Sequence, residues 1–166
     1  MFFAPIIILL LAKPSPHDFW IGFPLVVAGE SIRLWASGYL KKLSEIVTAG
    51  PFALCRNPLY VGSFLISVGY FVMCNRLCIW VAGVALFWLF HAGAVLYEEK
   101  LLREKFTEQY KSYCRVVPRF FPRFNRNLAG NGTFSVQQMM LNDEHRSAAG
   151  ALFMTVLFGL RAYLEF

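Results

Sequence analysis

Apolar runs alternate with short polar breaks along this chain, and the runs approach bilayer length. Residues 1–12 are almost wholly apolar and end at Lys13-Pro14-Ser15-Pro16. Further runs extend from Phe19 to Leu40, Pro58 to Cys74 and Leu77 to about Tyr97, with a last one from Ser147 to Leu160. A helix crossing a bilayer needs about 20 apolar residues. The middle runs therefore predict spans. The first predicts a short span paired with the second, and the last a short span or re-entrant helix. Pro58 suits the first turn of its helix. Asn75-Arg76 allows only a tight turn, so the spans on either side form an antiparallel hairpin. From Glu98 the pattern changes: Leu102, Phe106, Tyr110, Tyr113 and Val117 recur at helical spacing with charges between them. That predicts an amphipathic helix at the membrane interface. Asn125 to Gly132 reads as an exposed loop. The expected fold is all-α: one domain over residues 1–166, an integral membrane bundle of about five membrane-embedded helices plus a cytoplasmic interfacial helix.

Composition agrees. The chain is 57% hydrophobic and 16% charged, where a soluble domain carries about 25% charged residues. The net charge of +6 raises the question of nucleic acid. Half of the 16 Lys and Arg residues, however, fall between Lys100 and Arg126, directly after an apolar run. Basic residues beside spans set topology and meet anionic lipid headgroups. No recognition motif accompanies them, so no nucleic-acid partner is expected. Lys41, Lys42, Arg56 and the Lys100–Arg126 block are predicted to be cytoplasmic, and Lys13–Asp18 and Asn75-Arg76 to face outward. Residues 1–12 lack the basic start and small-residue cleavage site of a signal peptide. Cys74 and Cys78 lie one helical turn apart with no His or further Cys at ligand spacing, so no metal site is expected.

Two polar clusters, Gly50–Tyr60 and Glu98-Glu99, land on the same side of the membrane. Such a convergence is where an integral-membrane enzyme would hold a polar cofactor beside a lipid-borne substrate. Glu30 and Arg33 sit three apart inside one span and can pair. Ionisable residues in spans face protein or a water-filled cavity, so a packing ion pair and a cavity lining both stay open. His91 lies seven residues before Glu98 on the same helical face.

From Leu43 to Pro122 the chain resembles the isoprenylcysteine carboxyl methyltransferase family and, more loosely, the phospholipid N-methyltransferases. The family pattern is a G-P/V-Y/F turn, R-H-P-x-Y-x-G, a helical hairpin, an E-E pair, F-x-x-x-Y-x-x-Y, and V-P-x-x-x-P. Here these are Gly50-Pro51-Phe52, Arg56-Asn57-Pro58-Leu59-Tyr60-Val61-Gly62, Glu98-Glu99, Phe106 with Tyr110 and Tyr113, and Val117-Pro118 with Pro122. The resemblance implies S-adenosylmethionine as cofactor, bound at the cytoplasmic face without a Rossmann domain. It implies that Glu45, Ile46, Val47 and Phe52 line the cofactor, that Asn57, Pro58, Leu59 and Tyr60 hold it, and that Glu98 faces its amino group. A carboxylate in a partly dry site favours a ligand that carries a sulfonium and an ammonium, and aromatic faces add cation–π attraction.

The implied acceptor is lipophilic, such as the carboxylate of an isoprenylcysteine-like substrate entering from the lipid. Two departures bear on it. Asn57 replaces the family histidine, so this position cannot titrate. Ala94 stands where animal members place an arginine facing the substrate carboxylate, and His91 is the nearest substitute. His91, Arg33 and Glu30 are the acceptor-side candidates. Phospholipid ethanolamine N-methylation, an NADPH-dependent membrane reductase on a similar scaffold, and a non-enzymatic membrane partner are the alternative readings. The expected location is a bacterial inner membrane; the oligomeric state is left open.

Overall fold

The computed structural model describes residues 11–41, 44–123 and 130–164, and among them every regular element is helical. The helices are α1 (Pro16–Tyr39), α2 (Pro58–Cys74), α3 (Leu77–Val116), α4 (Val136–Leu141) and α5 (Glu144–Leu164), with a 3₁₀ turn at Gly50–Ala53. Most of the apolar run 1–12 and of the expected loop 125–132 lies outside the described residues, as do Lys42, Leu43 and Arg126.

α1 begins where its sequence says it should. Ser15 caps it by accepting from the Asp18 backbone N–H at 3.2 Å, and Pro16 needs no partner in the first turn. α1 and α2 run antiparallel as the central pair. Their backbones touch at two glycine crossings, Gly22 with Gly69 and Gly29 with Gly62. A methyl carbon added at Gly29 would lie 2.6 Å from the Gly62 carbonyl oxygen, so only glycine permits this approach. At one end of the pair, the Lys13 N–H donates to the Cys74 carbonyl at 3.0 Å and the Asn75 amide to Asp18 at 2.9 Å. Asn75 takes the left-handed conformation (φ 49°) that ends α2 and starts the expected tight turn.

Two elements differ from the sequence reading. The span from Leu77 and the amphipathic segment after Glu98 form one 40-residue helix, α3, not two. The backbone leaves helical geometry only at Thr107 (φ 19°, ψ −90°), which kinks α3. Beyond the kink Tyr110, Tyr113 and Val117 form a small buried core with Ile46, Leu102 and Phe106. α5 has 21 residues, more than the Ser147–Leu160 run. Its charged borders, Glu144 and Arg146 before the run and Arg161 after it, lie inside its first and last turns. α5 packs on α1. Trp20 donates to the Tyr163 hydroxyl at 2.8 Å at one end, and Asn142, just before α5, donates to the Ser37 and Leu40 carbonyls at the other.

Among the described residues, α3 and α5 are long and apolar enough to cross a membrane. α1 has the length, but Glu30 and Arg33 interrupt its apolar run. α2 is apolar with 17 residues, and six-residue α4 is too short to span. The count of about five embedded helices is therefore not reproduced. Large apolar side chains cover the outer faces of α3 and α5, Leu89 and Phe153 among them.

Candidate functional site

The C-terminal end of α1, the N-terminal ends of α2 and α5, and the middle of α3 meet around a cavity of about 650 Å³. That volume falls within the range of small-molecule sites, about 300–1,000 Å³. Glu45, Ile46 and Val47 from the α1–α2 connection, Phe52 from the 3₁₀ turn, Asn57 to Tyr60 from the start of α2, and Glu98 from α3 all line it. Arg33 and His91 line it too. Glu30 does not, although it was grouped with them on sequence.

One wall is closed around Glu99, which is 3% exposed. Arg119 grips it with two bonds, at 2.7 and 3.1 Å, in the bidentate arrangement that guanidinium and carboxylate favour. Arg56 adds an ion pair at 3.4 Å, and the Asn57 amide donates to Glu99 at 3.1 Å. Backbone bonds run parallel to these: the N–H groups of Arg56 and Asn57 donate to the carbonyls of Pro118 and Arg119 at 2.8 and 3.2 Å. The segment after α3 is thus pinned along the loop before α2. Tyr113 donates to the Phe52 carbonyl at 2.7 Å and fixes the 3₁₀ turn. Burial pushes the Tyr113 and Tyr110 phenols up, so both stay protonated at physiological pH. Burial likewise pushes the Cys55 thiol up to about 11.

The other wall is open. Glu98 is exposed and accepts the Tyr60 hydroxyl at 3.0 Å. Three other carboxylates line the cavity, and each has a cation: Glu45 with Lys41 (2.8 Å), Glu99 with its two arginines, and Glu144 with Arg33 (2.7 Å). Glu98 has none among the described residues. His91 stacks on Phe87 (centroids 4.0 Å apart) and meets Tyr60 edge-on at 5.7 Å. Its Nδ1 donates to the Phe87 carbonyl at 2.9 Å, since a carbonyl only accepts.

The local pair Glu30–Arg33 gives way to a tertiary one. Arg33 turns to Glu144 at the start of α5 and also donates to Ser63 and, at 3.1 Å, to Ser147. One oxygen of Glu30 is buried without a hydrogen-bond partner. Spacing within one helix reveals only the nearer carboxylate; Glu144 is 111 positions away. Sequence reading took Glu99 only as the second member of the Glu98-Glu99 cluster and Arg119 only as part of the basic block, and it gave Glu144 no role. A signal for Glu99 existed. Val95 and Leu102, four before and three after it, share its helix face, and an apolar face at that spacing is the packed one.

S-adenosylmethionine fits this donor set. Its ammonium and sulfonium call for an uncompensated carboxylate, and its adenine for an apolar and aromatic wall. Glu98 is the former, and Phe52, Val47 and Leu59 supply the latter. Among the described residues no group of three or more His, Cys, Asp or Glu side chains is placed to share a metal ion.

Residues 19–109 match the phospholipid methyltransferase family. The nickel-cobalt-cadmium resistance protein NccN of Alcaligenes xylosoxydans xylosoxydans is 30% identical over 81% of this chain and 76% of its own length. The cobalt-zinc-cadmium resistance protein CzcN of Cupriavidus metallidurans is 33% identical over 70% of this chain. Protein-S-isoprenylcysteine O-methyltransferase B of Arabidopsis thaliana is 32% identical over 61% of this chain. The chain spans about half the length of these last two, 52% and 51%.

Proposed function

Because the chain belongs to the phospholipid methyltransferase family, with protein-S-isoprenylcysteine O-methyltransferases among its relatives, we propose that it is a membrane methyltransferase that uses S-adenosylmethionine to methylate a lipophilic, isoprenylcysteine-like acceptor. The observation that carries this reading is Glu98, the cavity carboxylate without a cation, set beside the Asn57–Tyr60 segment.

When bound, S-adenosylmethionine supplies an electrophilic methyl group on a cationic sulfur. The chain's residues bind, orient and exclude water. Glu98 and Tyr60 hold the ammonium end. Glu45, Ile46, Val47 and Phe52 line one side of the ligand, and Asn57, Pro58 and Leu59 the other. Asn57 is itself fixed by Glu99, so its role is to hold and not to transfer a proton. Orientation and desolvation of the two partners supply much of the acceleration in such a displacement. A carboxylate acceptor is ionised at neutral pH, so no residue of the chain has to act as a base towards it. His91 and Arg33 form the acceptor side.

In this reading the protein is multi-pass, with α1 and α2 embedded beside α3 and α5. The cavity opens at the cytoplasmic face of a bacterial inner membrane. The basic residues on α3 after Glu98, among them Lys100, Arg103 and Lys111, fit that sidedness.

The test is calorimetric titration of S-adenosylmethionine into the detergent-purified protein, with NADPH as control. Saturable binding of S-adenosylmethionine alone is expected. Binding of NADPH in its place would transfer the site to a reductase.

A further inference from the structure

Residues 130–142 lie beyond residues 19–109, the part of the chain that matches the family, and they bond to the chain at two places. The first is the end of α1, where the last carbonyls have no partner within the helix. The Ser135 N–H donates to the Gly38 carbonyl at 2.9 Å. The Asn142 amide donates to the Ser37 and Leu40 carbonyls at 2.9 and 2.8 Å, which engages both of its N–H groups. The last turn of α1 carries no basic residue of its own to meet these carbonyls. The Phe134 ring seals the join: it stands 5.9 Å from the Tyr39 ring, and a methyl carbon added at Gly38 would clash with it. The second place is the connection from α1 to α2. The Thr48 N–H donates to the Asn131 carbonyl at 3.0 Å, and the Asn131 N–H donates back to the Thr48 hydroxyl at 2.9 Å. Gly130 and Gly132 press against Ala49 and Val47 on either side of this pair, and Gly132 takes a positive φ of 123° that suits glycine.

We propose that residues 130–142 are a brace that sets the register of the cofactor-facing loop, with Thr48 and Asn142 as its positioning residues. This deepens the cofactor side of the reading above and rests on it. Glu45, Ile46 and Val47 line the cavity and directly precede Thr48, yet they belong to no helix or strand. Apolar packing holds two of them: Ile46 lies against Tyr110 and Tyr113, and Val47 against Ala36 and Phe52. Such burial is non-directional. It decides which side of the loop faces inward, but not how far along the cavity each residue sits. Directed bonds decide that. The Thr48–Asn131 pair fixes the far end of the loop, and Asn142 with Ser135 fixes the α1 terminus from which the loop departs. Both ends are therefore referred to one segment. A shift of about 1 Å in a binding group can cost about 10²-fold in rate, so a loop without secondary structure needs such a reference to hold a ligand in place.

The experiment has two arms, both on the full chain in detergent. One is calorimetric titration of S-adenosylmethionine into the parent, Thr48→Val, Thr48→Ser and Asn142→Leu. The other is hydrogen exchange, without ligand, of the peptide that holds Thr48. Thr48→Val keeps the side-chain shape and removes the oxygen that accepts from Asn131; affinity for S-adenosylmethionine should fall about fivefold. Thr48→Ser keeps that oxygen and should restore affinity close to the parent's, a rescue that a loss of packing alone would not give. Asn142→Leu removes both bonds at the α1 end. It should weaken S-adenosylmethionine to a similar degree and speed exchange at Thr48, although Asn142 does not touch the loop. Where Asn142→Leu does not fold, the Thr48 pair of variants decides. Three results overturn the proposal: unchanged affinity in Thr48→Val, equal losses in Thr48→Val and Thr48→Ser, or unchanged exchange at Thr48 in folded Asn142→Leu. Failure of the parent to bind S-adenosylmethionine removes the methyltransferase reading instead. The exchange arm then decides whether residues 130–142 set the loop, with faster exchange in Thr48→Val keeping the brace and unchanged exchange removing it.

Discussion

Glu98 and Glu99 are consecutive residues in opposite circumstances. Glu99 is buried and held by Arg119, Arg56 and Asn57. Glu98 is exposed and meets one hydroxyl. A helix turns about 100° per residue, so two neighbours cannot face the same surroundings. The difference separates two jobs that an E-E pair in a sequence merges. One carboxylate ties the cavity wall together, and the other is left with charge to offer a ligand.

The largest effect should come from removing the buried member. Glu99→Ala strands two arginines and an amide, and losing one partner of a buried ion pair costs about 3–5 kcal/mol. Thermal unfolding in detergent should show a large drop in midpoint or no folded protein. A midpoint within a few degrees of the parent would mean that the wall does not depend on Glu99.

Glu98→Ala should do the reverse. The midpoint stays near that of the parent, while affinity for S-adenosylmethionine falls at least about tenfold, the scale of a charge-assisted contact. Retention of full affinity would remove Glu98 from the site. Tyr60→Phe takes away only the hydroxyl that orients Glu98. A net hydrogen bond is worth about 0.5–1.5 kcal/mol, so calorimetry should show a loss of a few-fold, smaller than for Glu98→Ala.

The smallest effect sharpens the comparison from the closed side. Cys55 is buried in the loop behind that wall, its thiol held up at about 11. The thiolate is the reactive form. In a chain whose other three cysteines are serine, maleimide at neutral pH should label Cys55 slowly when folded and rapidly in denaturant. The linkage has a definite sign. The folded pKa lies above the unfolded value of about 9, so the contribution of Cys55 to stability is intact below pH 9 and is lost as pH rises towards 11. Rapid labelling of the folded chain would show that the wall is open.

What was legible in the sequence depended on how local the cause was. α2 runs from Pro58 to Cys74 as read, because a proline at its start and Asn75 at its end are local signals. Glu45, Ile46, Val47, Phe52 and Asn57 to Tyr60 line one cavity with Glu98. The partner of Arg33 was not legible, since Glu144 reaches it only through the packing of α5 on α1. Nor was the continuity of α3: apolar periodicity changes at Glu98, but the helical backbone persists until Thr107. Charges at the ends of α5 looked like boundaries because a hydropathy run stops at a charge, whereas a helix does not.

The seam between α1 and α2 has a mechanical consequence. Two backbones in contact at Gly22–Gly69 and Gly29–Gly62 leave no slack for either helix to slide or tilt. That pair is a fixed post. α3 is joined to it by the Asn75-Arg76 turn, and at a rise of about 1.5 Å per residue Glu98 lies about 33 Å along α3 from that turn. At such a radius a swing of about 5° displaces Glu98 by about 3 Å, the length of its bond to Tyr60. The Arg56 and Arg119 grip on Glu99 is therefore applied at the far end of a lever, where little force arrests a long arm.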